Sequence, residues 1–181
     1  IIYREITSMN HEYEKARIAA LESLDILDTS PSEQLDELTK AVQEEFNAKT
    51  CLVSLVAEDR QWFKSRQCMD ATETPRNISF CTYAIAEEEY LIVPDAKAEE
   101  EYLIVPDAKA DKLFANNPLV TGSPFIRAYA GAILRNKDGY ELGTLCLLFD
   151  EPRDFLDVEI ESLKNHARTV ETIIFSEHLP A

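Results

Sequence analysis

Long apolar runs are missing from this chain. Nowhere do the roughly eighteen or more apolar residues of a membrane-spanning helix stand together. Positive charge is scarce as well: 18 Lys and Arg face 34 Asp and Glu, a formal net charge of −16, and no window of the sequence gathers a basic patch against it. Such a chain repels phosphate backbones and anionic lipid surfaces, so neither nucleic acid nor a membrane is an expected partner. Cysteine is sparse and widely spaced. Cys51, Cys68, Cys81 and Cys146 form neither a disulfide framework nor the close pairs of a zinc site, and free thiols are expected. The opening Ile1-Ile2-Tyr3-Arg4-Glu5 lacks the charged start and apolar stretch of a signal peptide, which points to a cytoplasmic location. Met9 is a candidate natural start, with the eight residues before it an artificial addition.

What is present describes an ordinary globular chain. Its 181 residues, 45% hydrophobic and 29% charged, suit one domain. A domain of this size buries roughly 70% of the surface its unfolded form exposes, enough for a core without staples. We expect residues 1–12 to be a flexible segment, 13–176 a single domain and 177–181 a tail.

Periodicity places the elements. Tyr13, Ala20, Leu24 and Leu27 recur at helical steps and predict a first helix over about 13–27. A second follows, with Ser30 as cap, Pro31 in the first turn, Glu33 completing a capping box, and Leu35, Leu38, Val42 and Phe46 on one face, ending near Asn47. Residues 50–56 and 61–65 read as the two strands of a hairpin, in which Trp62 and Phe63 face opposite ways. Short helices are expected over 79–85 and 111–117, with a strand at 90–93. Residues 127–134 and 142–149 form a second hairpin around Asn136-Lys137-Asp138-Gly139, since Asp-Gly tolerates positive φ. Beyond Pro152, with Asp154 as cap, Leu156, Ile160, Leu163, Ala167, Val170 and Ile174 make a heptad seam. Such a seam is either a core face or a pairing surface, and its terminal position favours a homodimer through the terminal helices. The order of elements gives an α+β architecture, an antiparallel sheet with helices on its faces.

Several blocks of the chain resemble the GAF domain of bacterial signalling proteins, the sensor type found upstream of histidine kinases and diguanylate cyclases. They are Leu24-Asp25-Ile26-Leu27-Asp28-Thr29, Asp59-Arg60-Gln61-Trp62-Phe63-Lys64-Ser65, and Glu73-Thr74-Pro75-Arg76 with Ser79-Phe80-Cys81. Val105-Pro106-Asp107-Ala108, Asn117-Pro118-Leu119-Val120-Thr121-Gly122, Ile126-Arg127 through Tyr129-Ala130-Gly131, and Gly143-Thr144-Leu145-Cys146 complete the set. The resemblance implies a central antiparallel sheet with the N- and C-terminal helices on one face and a ligand cleft bordered by short helices on the other. It implies a non-catalytic sensory role in signal transduction, regulated by a bound small molecule and passed on through the terminal helices. It names no ligand and no cofactor.

On that resemblance the cleft is expected at Phe80, Cys81, Tyr83, Phe114, Arg127 and Tyr129, with aromatic walls and Arg127 as an anion partner. Arg127 has a plainer alternative, an ion pair with Asp107, Glu73 or another carboxylate. Bilin and haem binding are disfavoured because His11, His166 and His178 lie on terminal segments, far from any cysteine. Two rival readings stay open. One is a thiol enzyme similar to free methionine sulfoxide reductases, with Cys81 as nucleophile at a helix start and Cys68 as resolving thiol. The other is a dimerisation module with an empty cleft. Cys51 and Cys146, inside apolar strand-like runs, are expected to pack. Cys68 stands where the family pattern leads us to expect glycine.

One feature lies outside the resemblance: residues 86–97 recur letter for letter as 98–109, a tandem duplication of natural or engineered origin. Each copy carries Tyr-Leu-Ile-Val ended by Pro, one strand's worth of apolar residues. Only one copy has a place in the sheet. We expect it to be the second, at 102–105, because Pro106-Asp107-Ala108 then leads on as in the family pattern.

Overall fold

A computed structural model describes residues 2–85 and 102–178, with side chains from His11 onward except that of Tyr83. Among these residues five α-helices, α1 (Ile2–Glu22), α2 (Glu33–Phe46), α3 (Phe80–Ile85), α4 (Pro118–Thr121) and α5 (Asp157–Glu177), and one 3-10 turn at Arg76–Ile78 accompany six strands. The strands are β1 (Thr50–Val56), β2 (Arg60–Gln67), β3 (Glu73–Pro75), β4 (Tyr102–Val105), β5 (Ala128–Arg135) and β6 (Glu141–Phe149). They form one antiparallel sheet in the order β3-β2-β1-β6-β5-β4. The architecture is α+β, as the sequence implies.

Side-chain alternation divides the sheet into two cores. Val53 and Leu55 of β1, Ala128, Ala130, Ala132 and Leu134 of β5, and Leu145 and Leu147 of β6 face α2, α5 and the end of α1. Leu52, Val56, Tyr129, Ile133, Cys146 and Leu148 face the other way, toward α3 and the segment around α4. Trp62 joins the first core and Phe63 the second, as their adjacency requires.

Several boundaries move. Helix α1 begins at Ile2, inside the segment expected to be flexible, because Ile2, Ile6, Met9 and Tyr13 extend the helical spacing backwards. It stops at Glu22 rather than Leu27, since Asp25 and Asp28 take left-handed backbone, φ 51° and 62°. Ser32, not Ser30, caps α2 by accepting from Leu35 N–H; the Ser30 carbonyl instead receives Lys64 Nζ at 2.6 Å. Residues 111–117 are turns, and the helical turn lies at α4, where Asn117 takes extended backbone before Pro118 and caps Leu119 N–H at 2.8 Å. Leu156 precedes α5 in place of Asp154, with Glu159 Oε1 accepting from its N–H.

Most of the seam on α5 is a core face: Leu163, Ala167, Val170 and Ile174 are buried against this chain's own sheet and α2, while Leu156 at its start is left exposed.

The second repeat supplies β4, with Leu103 opposite Gly131 and Val105 opposite Tyr129 and wholly buried. The first copy, with the strand expected at 90–93, lies outside the described residues. Deleting 86–97 leaves Ala98-Glu99-Glu100-Glu101 to join α3 to β4, and each halving of a loop changes closure cost by only about 0.6 kcal/mol. We expect a cooperative melting transition within about 5 °C of the parent; loss of cooperativity would show that the first copy holds part of the fold.

Candidate functional site

On the side of the sheet away from α2 and α5 lies a cleft of about 440 Å³. Its floor is the alternate face of the central strands: Leu52 on β1, Phe63 on β2, Tyr129 on β5, and Cys146 and Leu148 on β6. Phe80 and Cys81 of α3 close one side, and Leu119, Phe125 and Ile126 another. Gln61, Thr50 and Thr74 contribute uncharged polar groups. The charged side chains among the described lining residues are Lys49 and Asp70, both exposed at the rim.

Local hydrogen bonds hold the walls. Ser79 Oγ caps α3 by accepting from Thr82 N–H and donates to Gln61 Oε1 at 2.6 Å, while Gln61 Nε2 donates to Thr74 Oγ1 at 2.9 Å. Asn117 Nδ2 donates to Ile78 O at 3.0 Å and ties the α4 cap to the turn before α3. Phe80 stacks on Phe114 with centroids 4.1 Å apart and on Tyr129 at 5.1 Å. The Tyr129 ring lies over Gly131, two residues on and facing the same way; a Cβ there would stand 2.3 Å from the Tyr129 hydroxyl.

Beneath Phe80 is a buried group of hydroxyls and thiols. The Cys81 and Cys146 sulfurs are 3.9 Å apart, Thr144 Oγ1 donates to Cys81 Sγ at 3.0 Å, and the Tyr129 hydroxyl is 3.2 Å from the same sulfur. Ser54 Oγ, also buried, makes no hydrogen bond among the described residues. Burial opposes ionisation of Cys81, but its hydrogen-bond partners Cys146, Thr144 and Tyr129 override that and draw its thiol below the ordinary range. Cys146 is pushed up by its bond to Cys81 and by burial, and Tyr129 by burial and by the adjacent sulfurs.

A family profile described as the GAF domain matches residues 30–174. The chain belongs to the GAF domain family. This GAF domain is 36% identical over 160 residues to a cyclic di-GMP phosphodiesterase of Pseudomonas aeruginosa, a match taking in 88% of this chain and 25% of that protein. The chain thus spans about a quarter of that relative's length. Its fold is similar to the GAF domain of an Acinetobacter phosphoenolpyruvate-protein phosphotransferase, with a TM-score of 0.62 at 14% identity and 93% of both chains covered. It is also similar to the type II free methionine-R-sulfoxide reductase of Thermoplasma acidophilum, with a TM-score of 0.60 at 11% identity, covering 80% of this chain and 92% of that one. At such identities the two structures speak for the fold alone.

Of the residues expected at the GAF cleft, Phe80, Cys81 and Tyr129 line it. Phe114 supports Phe80 by stacking and is not part of the lining. The Tyr83 side chain lies outside the described residues. Arg127 is not in the cleft: its Nη1 donates to the carbonyls of Val120 at 2.8 Å and Ile126 at 3.2 Å, fastening the α4 segment to β5. Nor does it pair with the acids proposed for it, since Glu73 binds Arg60 and Asp107 accepts from the Lys109 and Ala110 amides of its own turn.

The sulfur beside Cys81 is that of Cys146, not the expected Cys68. Cys68 is exposed at the rim, where Gln43 Nε2 donates to it at 3.3 Å. Cys146, expected only to pack, lines the cleft as well; its alternation with Thr144 and Leu148 on the face that Tyr129 shares is the signal that could have placed it there. Cys51, on the opposite face, is a packing residue whose thiol burial pushes up. At Cys68 the backbone is left-handed, φ 55°, which explains the glycine expected there. Cys68→Gly should therefore stabilise the domain by on the order of 1 kcal/mol in urea unfolding; a destabilised variant would show that the thiol's contact with Gln43 matters more than the backbone.

Proposed function

We propose that this GAF domain is a non-catalytic sensor whose cleft takes an uncharged, heteroaromatic molecule of metabolite size. The supporting observation is the lining: aromatic and aliphatic walls, hydroxyl and amide groups within, and Lys49 and Asp70 confined to the exposed rim. With Arg127 held by backbone carbonyls, no side-chain cation among the described residues stands inside to neutralise a phosphate or carboxylate. The volume lies in the lower part of the usual range for ligand pockets, about 300–1,000 Å³.

Transmission to the terminal helices has a short route. Arg76, in the turn leading into α3, binds Glu14 of α1 at 2.5 Å, and Thr82 of α3 donates to the Arg76 carbonyl. Ligand that shifts α3 thereby biases α1, and an output domain of the kinase, cyclase or phosphodiesterase kind would receive it. The likeness to one quarter of a cyclic di-GMP phosphodiesterase supports such a setting. Pairing of two copies through the terminal helices belongs to the same reading; Leu156 and Val158, left 65% and 72% exposed at the start of α5, support it. Val158→Glu should weaken association in sedimentation equilibrium, and a wild type monomeric at high micromolar concentration would count against pairing.

Thermal-shift measurements against adenine, hypoxanthine, nicotinamide and thymine test the ligand class. At least one should raise the midpoint in the wild type and fail to do so in Leu119→Trp, where the half-buried mouth residue is enlarged to fill the cleft. Turnover of free methionine sulfoxide with a dithiol would overturn the non-catalytic assignment.

A further inference from the structure

We propose that Cys81 and Cys146 are a peroxide-sensitive dithiol at the floor of the cleft, closing to a disulfide that ties α3 to β6. The site goes beyond ligand sensing and does not depend on it. Three features converge. The two sulfurs are already in contact at 3.9 Å, and both residues, though buried, border the cleft from which a small oxidant would approach. Thr144 Oγ1 donates to Cys81 Sγ and the Tyr129 hydroxyl lies 3.2 Å from it, an arrangement that favours the thiolate and marks Cys81 as the first to react. The other two thiols are placed differently: Cys51 is on the opposite face of the sheet, and Cys68 is exposed at the rim.

The chemistry balances with hydrogen peroxide as oxidant. The Cys81 thiolate attacks one peroxide oxygen, the O–O bond breaks, and the leaving hydroxide takes the proton released by Cys81, giving a sulfenic acid and water. Cys146 sulfur then attacks the Cys81 sulfur; the S–O bond breaks, and the departing oxygen takes the Cys146 proton and leaves as a second water. Two thiols lose two electrons and one peroxide becomes two waters. The sulfurs must close from 3.9 Å to about 2.05 Å. Helix α3 is only six residues long, whereas β6 is paired on both sides within the sheet, so α3 is the element that moves. Closure draws Phe80 toward the floor and alters the cleft, which makes oxidation a second input to the same helix.

The test uses the full chain carrying Cys68→Ser, which removes the exposed thiol. Reduced protein is treated with hydrogen peroxide, quenched by alkylation at intervals and mapped by mass spectrometry. We expect Cys81 and Cys146 to be lost together, at least tenfold faster than Cys51, as one linked peptide pair that dithiothreitol releases. Cys146→Ser should instead accumulate a Cys81 sulfenic acid trapped by dimedone, and Cys81→Ser should form no linkage, both with far-UV dichroism of the parent. Oxidation of Cys81 and Cys146 no faster than Cys51, or a Cys81 sulfenic acid that never resolves in protein retaining Cys146, would overturn the proposal. Should either serine variant misfold, the relative rates in the Cys68→Ser parent decide the matter alone.

Discussion

Gly143→Val should cost at least about 3 kcal/mol, a fall of roughly 10 °C in the thermal midpoint, or abolish folding. Gly143 lies on β6 opposite Leu55 of β1, at the centre of the sheet. A Cβ there would stand 1.9 Å from the Ser54 carbonyl oxygen and 2.8 Å from the Leu55 Cα. Both are backbone atoms of a strand buried on both faces, and neither can swing aside as a side-chain tip would. The measurement is thermal unfolding followed by dichroism; a midpoint within a few degrees of the parent would show that β1 and β6 can separate locally, contrary to their close packing.

Arg17→Met should be comparably severe, about 3–5 kcal/mol in denaturant unfolding, because it breaks a buried charged network by removing one partner. Arg17 is fully buried, with Nη1 donating to the carbonyls of Val56 at 2.8 Å and Glu141 at 3.1 Å, where β1 ends and β6 begins. Its Nε and Nη2 hold Glu14 at 2.8 and 2.9 Å. Arg17→Lys should recover little, since one ammonium cannot reproduce that fork. The pH dependence carries a sign. Burial alone would raise the Glu14 carboxyl, but hydrogen bonds from Arg17 and Arg76 hold it at about 2. A depressed carboxylate stabilises above its unfolded pKa of 4.5, and that contribution fades as pH falls from 4.5 toward 2. In Arg17→Met the depression should shrink, so less stability remains to be lost across that window. An acid profile parallel to the parent's would show that Arg76 alone sets Glu14.

Strands and turns were legible because local rules decide them. A short, continuous, β-rich apolar run marked β1 at Thr50–Val56 as a buried strand, and Asn136 Oδ1 accepts from the amides of Asp138 and Tyr140 in the turn that its sequence announces, with Gly139 at φ 86°. The choice between two identical repeats was also legible, from the residues beyond the second copy rather than from either copy itself. Ends of helices were less so: Ser30 and Ser32 flank Pro31 equally in sequence, and tertiary contacts separate their roles, Lys64 from β2 reaching the Ser30 carbonyl and Ser32 Oγ donating to Glu177 of α5. A heptad on α5 cannot distinguish a partner helix from the chain's own sheet, since both present an apolar surface at the same spacing.

Phe80, Cys81 and Tyr129, expected at the cleft from the family resemblance, line it. Arg127 was misplaced for a reason absent from the sequence: the carbonyl of Val120 comes within reach only once α4 folds back beside the start of β5. Cys146 as the neighbour of Cys81 depends on α3 packing over β6, across 65 positions of chain.

The central claim, that the cleft receives an uncharged small molecule, is tested most directly by methyl-resolved NMR titration. The panel is adenine, hypoxanthine, nicotinamide and thymine, with cyclic AMP and cyclic GMP as charged counterparts. Leu52, Leu119, Ile126 and Leu148 report from the cleft, and Leu163 and Ile174 from the opposite core. We predict saturable shifts of the cleft methyls with at least one uncharged compound, little change at Leu163 and Ile174, and loss of the effect in Leu119→Trp. Cleft methyls silent to the whole uncharged panel, or responding to the cyclic nucleotides alone, would contradict the account.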